Sequence, residues 1–106
     1  MDNKTRSMLI GATEECGKIA QYCLKAIKFG LFSHHPNKIK TNGDEILINY
    51  YRLQSIVEAL QRDHVLPTYS ADYIDFIKRE SLKKINKNNW GANNNEGKLR
   101  RITRKR

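Results

Sequence analysis

Apolar residues recur every three or four positions through the first third of the chain, the spacing of one face of an α-helix. They are Leu9, Ala12, Cys16, Ile19, Ala20, Cys23 and Ile27. The pattern predicts a long amphipathic helix from about Thr5 or Met8 to Phe29, with Gly30 as its C-terminal stop. The two cysteines are about two turns apart on this face, too far for a disulfide within a straight helix. We therefore interpret them as small buried hydrophobic residues.

A second helix is predicted after a loop that contains His35-Pro36. Thr41 is the predicted N-cap, and Asp44 and Glu45 fall in the first turn, where acidic side chains favour the positive end of a helix. The periodic residues continue to about Arg62. The predicted inward face consists of Ile46, Tyr50, Leu53, Val57 and Leu60, with Ile56 at its margin.

A third, shorter helix is predicted from Ala71 to about Asn86, with Ser70 as its cap. Its apolar residues, Ile74, Ile77, Leu82 and Ile85, are predicted to face inward. The sequence thus predicts an all-α fold, a small bundle of two long antiparallel helices and a shorter third.

Polar residues accompany both long apolar faces. On the first helix they form a second stripe beside the apolar face, consisting of Glu15, Lys18, Tyr22 and Lys25. On the second helix, Asn49 falls within the inward arc and Arg52 lies on its flank. Because a buried polar residue requires a hydrogen-bonding partner, this region is the predicted wall of a pocket.

The composition indicates a domain with a modest core. The chain has 106 residues, of which 39% are hydrophobic, and its mean hydropathy is −0.72. A helical chain this short often completes its core by association, so we expect a homo-oligomer, a dimer or a tetramer. No apolar run approaches the roughly 20 residues of a membrane span, and no secretory signal opens the sequence. We expect a cytoplasmic protein without a membrane partner.

The positive charge is concentrated at the C-terminus. The net charge is +9, and seven of the twenty Lys and Arg residues follow Asn86, against a single acid, Glu96. We therefore divide the chain into a helical domain, residues 1–86, and an Asn-rich basic tail, residues 87–106. The tail could be solvated, could reach a neighbouring subunit's pocket, or could bind nucleic acid through phosphate contacts. Its candidate contact residues are Arg100, Arg101 and Arg104.

Residues 8–62 resemble the MazG-like all-α nucleoside triphosphate pyrophosphatases. The resemblance is carried by the run Ala12–Gly30, the linker from His35 to Asn42, and the helix Leu47–Leu60. In that family two motifs, Glu-x-x-Glu and Glu-x-x-Asp, face each other across a helix bundle and hold Mg²⁺ on the triphosphate. The resemblance implies a MazG-like bundle completed by oligomerisation.

The family's motifs are degenerate in this chain. The first falls on Glu15-x-x-Lys18 and the second on Asn49-x-x-Arg52. Three of the four expected carboxylates are absent, and two are replaced by cations. Because Mg²⁺ is held by oxygen ligands, neither Lys18 nor Arg52 can bind it. We therefore expect no metal, no cofactor and no catalytic residue, and a protein that has lost pyrophosphatase activity.

A site whose cations come from the protein could bind phosphate without a metal. Arg52 could hold phosphate oxygens with its planar guanidinium, and Lys18 would add a point charge. Tyr22, or one of the tyrosines of the second helix, could stack on a base. The predicted ligand-binding residues are Glu15, Lys18, Tyr22, Lys25, Asn49 and Arg52. The leading hypothesis is a non-catalytic nucleotide-binding protein.

Small metal-less relatives of nucleotide-cleaving enzymes are similar to many phage-encoded accessory proteins. The Lys-, Asn- and Ile-rich composition is typical of an AT-rich viral genome. The hypothesis therefore extends to a phage sponge in the host cytoplasm, which sequesters a nucleotide immune signal, cyclic or linear.

Three alternatives stay open. Lys18 and Arg52 could pair with Glu15 and Glu45 as a relic ionic cluster. A shifted register would instead make Glu14, Glu15, Asp44 and Glu45 the Mg²⁺ ligands of an active pyrophosphatase. The third alternative is a basic helical nucleic-acid-binding protein.

Overall fold

The chain folds into three helices in the part described by the computed structural model, residues 1–87. They are α1 (Asn3–Phe29), α2 (Asn42–Arg62) and α3 (Ala71–Ile85). The all-α prediction is confirmed, and α2 and α3 begin where their predicted caps place them. None of these three helices is long and apolar enough to cross a membrane.

The chain divides into two compact units, Met1–Pro67 and Thr68–Arg106. The first contains α1 and α2, and α3 belongs to the second. The division therefore falls within the predicted 1–86 domain, at the segment where Leu66-Pro67 interrupts the helical pattern.

Local side-chain and backbone chemistry defines both ends of α1. Asp2 caps the helix, because its carboxylate accepts a hydrogen bond of 2.7 Å from the Thr5 backbone N–H. This cap explains why α1 begins before the predicted Thr5 or Met8. At the other end, Gly30 adopts φ 104°, a conformation that residues with a Cβ rarely adopt. Its N–H still donates to the Ala26 carbonyl, so the predicted stop is confirmed.

The start of α2 is tied to the end of α1. Thr41 and Asp44 form a reciprocal capping box with two hydrogen bonds of 3.0 Å. The Asn42 side-chain amide donates to the Gly30 carbonyl at 3.1 Å, and the Asn42 backbone N–H donates to the Ser33 carbonyl. These bonds satisfy polar groups of the connection and bring the two helix ends together.

The two long helices run antiparallel. At one end Lys4 forms an ion pair with Asp63 at 3.2 Å, and at the other Asn42 reaches Gly30. Between these ends, a Cβ added to Gly11 would lie 3.4 Å from Ile56 Cδ1, so the helices approach closely there. Leu60 is the one hydrophobic residue that is buried among residues 1–87, with 2% of its surface exposed.

The face that α1 turns towards α2 differs from the predicted one. The predicted polar stripe supplies part of it, because Glu15, Tyr22 and Lys25 are partly buried. Cys16 and Cys23 are exposed, so their interpretation as buried residues was wrong. Ile27 is 82% exposed. The apolar pattern of α1 covers more than one face, and the capped connection to α2 selects which part is covered.

The third helix forms as predicted but buries no residue. The Ser70 hydroxyl caps it by accepting a hydrogen bond from the Tyr73 backbone N–H at 3.2 Å. The four residues predicted to face inward, Ile74, Ile77, Leu82 and Ile85, are all exposed. The prediction that they are buried was therefore wrong. Near its start, the Tyr73 ring is stacked on Phe76 and lies edge-on to Tyr69, which precedes the helix.

Candidate functional site

A basic cavity lies where α1 passes into the loop before α2. Its volume is about 310 Å³, at the lower end of the range of small-molecule sites. Its lining residues are Tyr22, Lys25, Phe29, Ser33, His34, His35, Pro36, Lys38, Lys40 and Asn42. Within the described part of the chain, this lining comprises three lysines, two histidines and the rings of Tyr22 and Phe29, and it includes no carboxylate. The lining chemistry therefore suits an anion that carries an apolar ring.

Tyr22 lies in the cavity wall and contacts two of the cavity lysines. The Lys25 ammonium lies 5.0 Å from the centroid of its ring, within cation–π range. The Lys38 ammonium lies at the hydroxyl edge of the same ring, 5.5 Å from the centroid. Lys38 also donates a 2.9 Å hydrogen bond to the Tyr22 hydroxyl and pairs with Glu45 at 3.6 Å. Two positive side chains are thus held beside one aromatic ring.

The charge of Lys38 is maintained by its surroundings. Its hydrogen bond to the Tyr22 hydroxyl raises its pKa above the ordinary 10.5, and the Glu45 carboxylate contributes in the same direction. Lys38 therefore stays protonated throughout the physiological pH range.

The loop wall is held by its own hydrogen bonds. The Asn37 backbone N–H donates to His35 Nδ1 at 3.1 Å, and the Lys38 backbone N–H donates to the His35 carbonyl at 2.9 Å. That carbonyl also lies 2.9 Å from His34 Nδ1. A carbonyl only accepts, so His34 carries a proton on Nδ1, whereas His35 Nδ1 is an acceptor. The loop therefore presents a defined surface to the cavity.

The structure places the predicted ligand residues in two groups. Tyr22 and Lys25 line the cavity, and the other four predicted residues do not. Glu15 and Lys18, one turn earlier on α1, form an ion pair at 3.8 Å. The other Glu15 oxygen, Oε1, is buried and has no hydrogen-bonding partner among the described residues. The Lys18 side chain is 49% exposed.

The predicted residues on α2 are engaged with each other. Asn49 is 1% exposed, and its amide donates to the Glu45 carbonyl at 2.7 Å. Its Oδ1 accepts a long contact of 3.5 Å from exposed Arg52. The predicted ionic cluster is present in part, since Lys18 pairs with Glu15, whereas Glu45 pairs with Lys38.

The carboxylates near this region are distributed over separate contacts. Among residues 1–87, no three His, Cys, Asp or Glu side chains lie close enough together to hold a metal ion. Asp44 accepts the Thr41 N–H in the capping box, and Glu15 and Glu45 each pair with a lysine. The acids of the shifted-register alternative are therefore largely committed to other partners.

The charged and aromatic cavity residues that were not predicted as ligand residues are Phe29, His34, His35, Lys38 and Lys40. All but Phe29 lie in the connection that was interpreted only as a loop. The sequence did contain an indication of them, because two histidines and two lysines occur within seven residues of the connection. Their relation to Tyr22 depends on how the connection closes.

The tail candidates Arg100, Arg101 and Arg104 lie outside the described residues. No family model, curated protein or solved structure matches the chain. The cavity must therefore be interpreted from its own chemistry.

Proposed function

We propose that the protein binds a phosphorylated nucleotide in the cavity beside Tyr22, without a metal. The observation that carries the proposal is the lining itself, in which Lys25, Lys38 and Lys40 line the same cavity of about 310 Å³ as the rings of Tyr22 and Phe29. A nucleotide combines an anionic phosphate with a planar base. Lysines bind the first as point charges and aromatic side chains stack on the second.

Different parts of the cavity would serve the two halves of the ligand. The base would lie against Tyr22 or Phe29, whose rings line the wall. The phosphate would lie near Lys40, which, unlike Lys38, forms no ion pair within 4.0 Å among the described residues. A phosphate bound there would gain charge-assisted hydrogen bonds that water alone does not provide.

The proposed action is binding without cleavage. Hydrolysis of a nucleoside triphosphate in the family that the sequence resembles uses Mg²⁺ held by acidic side chains, and here these positions include Lys18 and Arg52. Glu15 is the single acid retained, and it pairs with Lys18. A protein that binds and does not turn over its ligand lowers the free ligand by mass action, which suits a sponge for a nucleotide immune signal.

Calorimetric titration in EDTA tests the proposal. The probes are ATP, a linear dinucleotide, a cyclic dinucleotide and inorganic phosphate. We expect at least one nucleotide to bind, and Lys40→Glu to weaken it about tenfold or more through loss of a charge-assisted contact. Lys78→Glu is the matched control, because Lys78 is exposed on α3 and does not line the cavity.

Two results would contradict the proposal. One is the absence of binding heat for every nucleotide. The other is an equal loss of affinity in Lys40→Glu and Lys78→Glu, which would indicate only long-range charge. Chromatography of ATP incubated with Mg²⁺ tests the alternative enzyme, whose products should disappear in Glu15→Gln.

A further inference from the structure

α1 carries a second apolar face, which no described residue of its own unit covers. Leu24 is 67% exposed, Ile27 is 82% exposed, and Cys16 and Cys23 are exposed beside them. The face follows a seven-residue repeat, with Ile10, Gly17 and Leu24 in one row and Thr13, Ala20 and Ile27 in the next. This is the repeat of a helix that packs along another helix.

The shape of this face favours close approach of a partner helix. Its middle is occupied by small residues, Cys16, Gly17, Ala20 and Cys23, and its two ends by larger ones. A Cβ added at Gly17 would meet no atom within 4 Å, so this position is open. A partner whose own large residues lie opposite the small ones would fill the groove.

The charged residues along one edge of the face identify the partner. Glu14, Gln21 and Lys28 are seven residues apart and all exposed. An antiparallel second copy, with its two-fold axis near Gln21, would place Glu14 opposite Lys28 of that copy, twice in the pair. It would also place the two Gln21 amides together. In a parallel pair the edge that carries Glu14 and Lys28 would face the opposite edge of the partner's helix. Glu14 would then not meet Lys28 of the second copy.

We infer that the protein forms a homodimer through antiparallel packing of α1 on α1 of a second copy. With the axis near Gln21, Leu24 and Ile27 at the C-terminal end of the face lie opposite the small residues around Cys16 and Gly17 of the other copy. The same surface is used by both partners, as a two-fold dimer requires. The contact would also cover apolar surface in a unit that buries one hydrophobic side chain, Leu60.

Charge reversal tests both the contact and its direction. Sedimentation equilibrium of the full chain should show a dimer, with a dissociation constant raised about tenfold in Glu14→Lys and in Lys28→Glu, since each creates two like-charge pairs. The double variant, which restores opposite charges, should return to within about threefold of the original. Glu58→Lys is the control, because Glu58 is exposed on α2 and its reversal should leave the constant unchanged.

A second variant separates loss of the contact from loss of the fold. Gly17→Leu has open space in the single chain and raises helix propensity, so helicity by circular dichroism should be kept or increased. The same side chain would obstruct the close approach of a second copy, so the variant should be monomeric. A monomeric wild-type chain, single reversals without effect, or a double reversal that fails to restore association would each overturn the inference.

Discussion

Asn49 was predicted to bind a ligand because of its position in the motif, but its contacts give it a structural role. The family resemblance aligns it with an acid, yet its side chain is 1% exposed and donates to the Glu45 carbonyl. A buried amide that is already engaged has no access to a base. Tyr22 is the opposite case, since it was predicted at the flank of a face and its ring is flanked by two ammonium groups.

Substitution of Asn49 distinguishes these roles. Asn49→Asp should lower the free energy of unfolding by about 2 kcal/mol, because a buried carboxylate cannot donate to the Glu45 carbonyl and is only partly compensated by Arg52. Asn49→Leu should change it by less than about 1 kcal/mol. Urea denaturation measures both, and equal stability of wild type and Asn49→Asp would contradict the assignment. Nucleotide affinity should be unchanged in Asn49→Leu.

At the scale of the element, the start of α2 organises the cavity. The Thr41–Asp44 capping box begins the helix, and Asn42 in its first turn ties it to Gly30. The same connection carries Lys38 and Lys40 past Tyr22. The position of the cavity lysines therefore depends on local capping chemistry as well as on core packing.

The capping box should make stability depend on acid pH. The backbone N–H of Thr41, followed by its hydroxyl, lowers the pKa of Asp44 below the ordinary 3.8 in the folded chain. A depressed pKa contributes stability that is complete above the unfolded value and is lost as pH falls through the folded value. Asp44→Asn should therefore be less stable than wild type at neutral pH, and the gap should narrow below about pH 4.

Thermal melts of the two proteins between pH 2 and pH 7 measure that gap. Asp72→Asn is a suitable control, since Asp72 also lies in the first turn of a helix, α3, but outside the capping box of α2. A difference between wild type and Asp44→Asn that stays constant with pH would show that the carboxylate charge contributes nothing to the cap.

At the scale of the whole molecule, the described chain has little interior. Among residues 1–87, only Leu60 is a buried hydrophobic residue, while the second face of α1 and the apolar residues of α3 are exposed. Association that covers such surface is linked to folding by mass action. Stability should therefore depend on protein concentration.

The melting temperature of the wild-type chain should rise by a few degrees for each tenfold increase in protein concentration. Gly17→Leu, which should be monomeric, should lose this dependence. Differential scanning fluorimetry or calorimetry over a hundredfold range measures it. A wild-type melting temperature that does not change over this range would contradict linked association.

The sequence by itself determined the three helices and most of their limits, although α1 begins earlier than predicted. Caps and stops such as Thr41, Ser70 and Gly30 act through neighbouring backbone groups, so their effect is visible in a few consecutive residues. The predicted polar stripe also reached the site at two positions, Tyr22 and Lys25.

Tertiary structure decided which face of α1 is covered and where the cavity lies. Apolar spacing extends over more of the helix than α2 can cover, so the pattern alone could not place Cys16 outside and Glu15 inside. The cavity brings Lys38 and Lys40 of the connection to Tyr22 of α1, residues far apart in sequence. Such proximity arises from the closure of the turn, which periodicity does not encode.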